Sequence, residues 1–267
     1  MSDQTSEGYA PVNGLDIYWQ SRGSGGVPLV VVHGGYAVIS TLDGLLDSLA
    51  RDRRVVAVEL QGHGHTADID RPFTWEAFGD DLAALMGHLE LGRADLLGYS
   101  LGAGACLRAA IQHPEAVRRL VVVSFPFRRD GWFPEVRANF DQMSHEGFQF
   151  MRHSPVYAAY AEVAPDPGGF PALMDKVGDL TRRDFDWADD VKAMTAQTML
   201  VYGDADSIPT SHISDFYGLL GGGLADPGWD GSTRGGARLA ILPGLTHYDI
   251  CGSSQLRAVV ADFLALP

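Results

Sequence analysis

Gly98-Tyr99-Ser100-Leu101-Gly102 reads G-x-S-x-G, and the chemistry open to that pattern is nucleophilic attack by a serine hydroxyl. An apolar run at residues 94–97 precedes it and a helical pattern follows, so Ser100 is expected on a sharp strand-to-helix turn. Such a turn exposes the hydroxyl at the sheet edge. The flanking glycines let neighbouring backbone approach, and the helix N-terminus favours a developing anion. A serine hydroxyl is a weak nucleophile until a base takes its proton. His247 is the expected base, because it follows the last apolar run (239–242) in the loop Pro243-Gly244-Leu245-Thr246-His247. The base needs a carboxylate to hold its tautomer and stabilise the imidazolium. The run 198–202 ends in Gly203-Asp204-Ala205-Asp206; Asp206 is preferred and Asp204 stays open. Asp249 lies past His247 and reads as a helix-start residue.

Acyl transfer also needs backbone N–H groups aimed at the carbonyl oxygen as it becomes anionic. One is expected from Leu101. The other is expected from His33-Gly34-Gly35-Tyr36, at Gly35 or Tyr36, which the sequence does not separate. His33 reads as a brace for that loop. His63 and His65 form H-x-H in a glycine loop, but no carboxylate cluster completes a metal site, so no metal is expected. No cofactor is expected either.

These residues need a frame. Leu29–Val32, Val55–Val58 and the runs 94–97, 120–123, 198–202 and 239–242 are continuous apolar segments, as strands covered on both faces should be. Helical patterns at 41–50, 74–89, 101–112, 211–219 and 253–266 alternate with them. Strand then helix, repeated, predicts an α/β fold: a doubly wound, mostly parallel sheet flanked by helices. Residues 15–20 suggest an edge hairpin. The rhythm breaks at 126–190, a segment rich in aromatics and cut by prolines. It is expected to be a helical cap, inserted in a core domain formed by 1–125 and 191–267. Tyr99, Phe125, Phe127, Trp132 and Phe133 are the expected pocket residues. The glycine-rich stretch 221–236 reads as a surface loop.

Composition narrows the partners. The chain has 267 residues, 46% hydrophobic and 20% charged, with a formal net charge of −14. That charge argues against nucleic acid and against anionic lipid. No apolar run is long enough to span a bilayer. Cys106 and Cys251 read as free thiols, which suits a cytoplasmic location. A homodimer is left open.

The chain resembles the α/β-hydrolase superfamily, near its small esterases, lactonases and cofactor-free haloperoxidases. The resemblance rests on His33-Gly34-Gly35, Gly62-His63-Gly64, the Gly98–Gly102 elbow, the 203–206 acid turn and His247. It implies a helical cap over the site and hydrolysis of an ester or lactone of a hydrophobic small molecule through an acyl-enzyme on Ser100. The same three residues serve perhydrolysis and C–C bond hydrolysis, which the sequence does not separate. A non-catalytic ligand-binding protein on this scaffold is disfavoured by the intact set. Two positions depart from the family pattern: Glu59 stands where many relatives have Asp, and His65-Thr66 where a serine is frequent.

Overall fold

The computed structural model describes residues 5–266. Eight strands form one sheet: β1 (Ser6–Val12), β2 (Leu15–Arg22), β3 (Leu29–Val32), β4 (Val55–Val58), β5 (Ala94–Tyr99), β6 (Val117–Val123), β7 (Gln197–Ala205) and β8 (Arg238–Thr246), in the order β1-β2-β4-β3-β5-β6-β7-β8. β1–β2 and β2–β4 pair antiparallel, and every other neighbouring pair is parallel. The edge hairpin is therefore longer than residues 15–20 suggested. Its turn is Asn13-Gly14, both at positive φ (51° and 81°), the pair a tight two-residue hairpin favours.

The continuous apolar runs are explained by two cores. Val30, Val32, Leu96, Leu120, Val122 and Leu200 face one core, while Leu29, Val31, Leu97, Val121, Val123 and Val201 face the other. Alternate residues of each strand thus bury on opposite sides. Helices cover both faces. α1 (Asp43–Leu49) comes first, then α2 (Trp75–His88), whose N-cap Thr74 accepts the Ala77 N–H at 3.0 Å. α3 (Leu101–Gln112) packs against α2; a Cβ at Gly79 would lie 3.1 Å from the Ala109 nitrogen.

Between β6 and β7 lie α4 (Pro134–Asp141), α5 (Phe148–Met151), α6 (Pro155–Val163), α7 (Phe170–Arg182) and α8 (Ala188–Ala193), with short 3-10 turns. No strand of the sheet falls there among the described residues. The two ends of this insertion meet: Arg129 N–H donates to the Phe185 carbonyl at 2.9 Å and Trp187 N–H to the Phe127 carbonyl at 3.0 Å. Lys176 on α7 ties the insertion to the loop before α2, with Nζ 2.7 Å from Asp68 Oδ2 and 2.7 Å from the Ile69 carbonyl. α9 (Thr210–Leu219) and α10 (Ser254–Leu264) complete the chain. No helix among the described residues is long and apolar enough to cross a membrane.

Candidate active site

Ser100 sits between the end of β5 and the first residue of α3, with φ 52° and ψ −120°. A non-glycine residue held there is strained by about 1–3 kcal/mol, and the surroundings must enforce it. They do so through the Ser100 N–H, which donates to the Val123 carbonyl at 2.9 Å. The Ser100 carbonyl accepts from Ala103 and Gly104 at 2.8 and 3.1 Å. The flanking glycines are required by space. A Cβ at Gly98 would collide with the Gly102 carbonyl oxygen, and one at Gly102 with the His33 carbonyl oxygen.

His247 arrives by a different route. β7 and β8 pair in register up to Gly203–Leu242, then resume at Ala205–Thr246, so Pro243, Gly244 and Leu245 form a bulge. Asp204 Oδ1 accepts the Gly244 N–H at 2.9 Å and braces that bulge. Asp206 is the carboxylate that meets the imidazole: His247 Nδ1 lies 3.1 Å from Asp206 Oδ1, and His247 Nε2 lies 3.0 Å from Ser100 Oγ. Asp206 and His247 are each only 8% exposed. Burial alone would raise the Asp206 carboxyl, but hydrogen bonds from His247, Ser124 and the Gly203 N–H outweigh it and hold the group below its usual range. Ser124 has no motif in the sequence. It follows β6 with φ 56° and donates to Asp206 Oδ2 at 2.5 Å. Asp249 begins a 3-10 turn and accepts from the Thr246 N–H at 2.7 Å.

The loop after β3 lies against the elbow; a Cβ at Gly35 would be 3.7 Å from Leu101 Cδ1. Tyr36 takes φ 63°. Among the described residues, the N–H groups of Gly35, Tyr36 and Leu101 have no protein acceptor. His33 braces the loop: Nδ1 is 2.7 Å from the Gly34 carbonyl, and Nε2 accepts the Leu60 N–H at 3.3 Å. Burial lowers its pKa, favouring the neutral ring those contacts need. The departures from the family pattern are structural. Glu59 Oε1 accepts the Ile39 N–H at 2.9 Å and Oε2 the His65 N–H at 2.6 Å. Thr66 Oγ1 donates to the Glu59 carbonyl at 2.8 Å and accepts the Tyr18 N–H at 2.9 Å.

Above Ser100 and His247 lies a cavity of about 800 Å³. Tyr99, Phe125 and Trp132 line it, and Trp132 meets the His247 ring edge-on at 5.7 Å. Two expected wall residues lie elsewhere. Phe127 stacks on His212 at 4.3 Å and packs on Phe216, so it belongs to the core under α9. Phe133 caps α4, its N–H bound to the Ser207 carbonyl, and is not part of the lining. The wall is completed by residues that no sequence pattern assigns to it: Trp75 from α2, Val136 and Phe140 from α4, Met143 just after α4, Val177 and Thr181 from α7, and Phe185. Tyr248, 83% exposed, also borders the cavity, and Cys251 lines it. Among the described residues, the lining contains no Lys or Arg.

Sheet order, elbow and the placement of Ser100, Asp206 and His247 define an α/β-hydrolase fold. Residues 27–152 match the family model described as alpha/beta hydrolase fold. The 2-hydroxymuconate semialdehyde hydrolase of Pseudomonas sp. (strain CF600) is 36% identical over 110 residues, covering 38% of this chain and 39% of that protein. The pimeloyl-[acyl-carrier protein] methyl ester esterase of Pectobacterium carotovorum subsp. carotovorum (strain PC1) is 32% identical over 143 residues, 50% of this chain and 52% of that one. The chain thus spans about half or less of the length of these curated relatives. Over nearly the whole chain the fold is shared with the crystal structure of E-2-(acetamidomethylene)succinate hydrolase: TM-score 0.74, 20% identity, 98% of this chain and 100% of that one. Residues 27–152 thus match the alpha/beta hydrolase family, and nearly the whole chain shares its fold.

Proposed function

We propose that this chain is a serine hydrolase that cleaves a carboxylic ester or lactone of an uncharged, hydrophobic small molecule. The observation that carries the reading is the hydrogen-bonded line Ser100–His247–Asp206, at 3.0 and 3.1 Å, on the wall of a largely apolar cavity. Ser100 Oγ attacks the carbonyl carbon while His247 Nε2 takes its proton. Asp206 holds His247 with Nδ1–H toward it. The N–H of Leu101, with that of Gly35 or Tyr36, receives the oxyanion. His247 returns the proton to the leaving oxygen, and water then repeats the sequence on the acyl-serine. The helical insertion acts as the cap that shapes the substrate space, since α4 and α7 supply much of the wall.

One relative named as a hydrolase of a muconate semialdehyde favours a second reading, C–C bond hydrolysis. A muconate carries a carboxylate, which burial disfavours without a cationic partner. The absence of Lys and Arg from the lining among the described residues supports the uncharged ester or lactone instead. A panel of p-nitrophenyl esters and lactones of graded chain length tests the proposal. Ser100→Ala should lower turnover at least about 10³-fold. Retained turnover in that variant removes the mechanism. Failure of a fluorophosphonate probe to label wild-type Ser100 would revive a ligand-binding role. Peroxide and halide assays address perhydrolysis.

A further inference from the structure

We infer that Tyr99 is a positioning residue: its hydroxyl tethers the main chain of His247 to the strand that carries Ser100. This rests on the proposed roles of Ser100 and His247. Tyr99 ends β5 and shares a peptide bond with Ser100. Its hydroxyl donates to the His247 carbonyl at 2.7 Å, joining residues 148 positions apart. The ring lies 5.5 Å from the imidazole. It also packs against the loop after β3, where a Cβ at Gly34 would come within 2.8 Å of Tyr99 Cε1. One side chain therefore adjoins the nucleophile, abuts the loop of oxyanion donors and holds the base through its backbone.

The need for such a tether follows from the reaction. The Ser100–His247 hydrogen bond is the one contact that acylation must break, because acylated Oγ has no proton to share. His247 must then stay in place to activate water, with Asp206 holding only its ring. The neighbouring anchors act earlier in the loop, Asp204 on Gly244 and Asp249 on Thr246. The Tyr99 bond acts on residue 247 itself and is untouched by each proton transfer. Burial, reinforced by Cys251, Asp206, Tyr248 and Asp249, pushes the phenol far above its usual range, so it remains a donor wherever the enzyme is assayed.

The test compares wild type, Tyr99→Phe, Tyr99→p-aminophenylalanine (which keeps a donor at the ring's far end) and Ser100→Ala. The readouts are p-nitrophenyl butyrate kinetics, fluorophosphonate labelling of Ser100 and thermal unfolding. Tyr99→Phe should lower kcat about 10- to 100-fold with KM within about twofold, and slow labelling in step. The p-aminophenylalanine variant should recover most of that loss. Wild-type kcat and labelling in Tyr99→Phe overturn the tether, as does equal impairment of the Phe and p-aminophenylalanine proteins. Should Tyr99→Phe not fold, the p-aminophenylalanine protein decides: near-normal kcat supports the tether, and impaired kcat in a folded protein overturns it. Ser100→Ala separates the two levels. If it retains turnover, or wild-type Ser100 is not labelled, the nucleophile reading falls and the tether with it. If it is inactive, the Tyr99 variants test the tether alone.

Discussion

The Ser124 hydroxyl holds Asp206 Oδ2 at 2.5 Å, on the oxygen opposite the one that faces His247 Nδ1. Ser207 and Gly203 add backbone N–H donors at 2.7 and 3.1 Å. The carboxylate is thus fixed from several sides, and only one of its contacts is the His247 imidazole.

Removing that hydroxyl should be felt in both activity and stability. Ser124→Ala is expected to lower kcat/KM about tenfold and to cost about 1.5–3 kcal/mol at neutral pH, the scale of a hydrogen bond to a charged group. The sign with pH follows from the depressed Asp206 carboxyl. Its contribution is present above the unfolded value, about 3.9, and is lost as pH falls through the lower folded value. The stability gap between wild type and variant, read from urea midpoints, should be narrower at pH 3 than at pH 7. An equal gap at both would count against this account.

The two aspartates of the acid turn should separate cleanly. Asp206→Asn removes the partner of His247 Nδ1 and should lower kcat by about 10³- to 10⁴-fold. Asp204→Asn keeps an acceptor for the Gly244 N–H and should stay within about tenfold of wild type. Steady-state kinetics on one ester decides. A larger loss at Asp204 would reverse the assignment.

His63 should make the protein sensitive to mild acid. It is fully buried, and burial foremost, with His33 nearby, pushes its pKa down to about 3. The unfolded chain takes up a proton below about 6.5 while the folded one does not. Stability is therefore full above that value and declines as pH falls toward 3, by up to about 1.4 kcal/mol per pH unit. His63→Phe should flatten the slope of unfolding free energy between pH 6.5 and 4. An unchanged slope would assign the acid sensitivity to other groups.

Much of this architecture was legible because strand and elbow positions obey short-range rules. Continuous apolar runs located six strands, and Gly98 and Gly102 announced a turn with no room for side chains. The acid turn and the preference for Asp206 were legible, but the role of Asp204 was not, because it braces the bulge at 243–245, a register effect invisible along the chain. Ser124 was missed because a serine after three valines carries no pattern; its role comes from the pairing of β6 with β7. Phe127 was misplaced for a related reason. Aromatic content shows that a segment buries surface, not whether the surface faces a cavity or a core. Trp75 shows the converse, since it lines the cavity from the first residue of a helix outside the insertion.

Glu59 carries a mechanical consequence. One enclosed side chain clasps both the segment at Ile39, beyond the loop after β3, and the glycine turn at His65. It also fills the space a Cβ at Gly64 would need. Neither segment can drift by itself without abandoning a carboxyl group far from water. The two must therefore shift together or not at all, and rigidity beside Ser100 is secured from a buried residue outside the cavity wall.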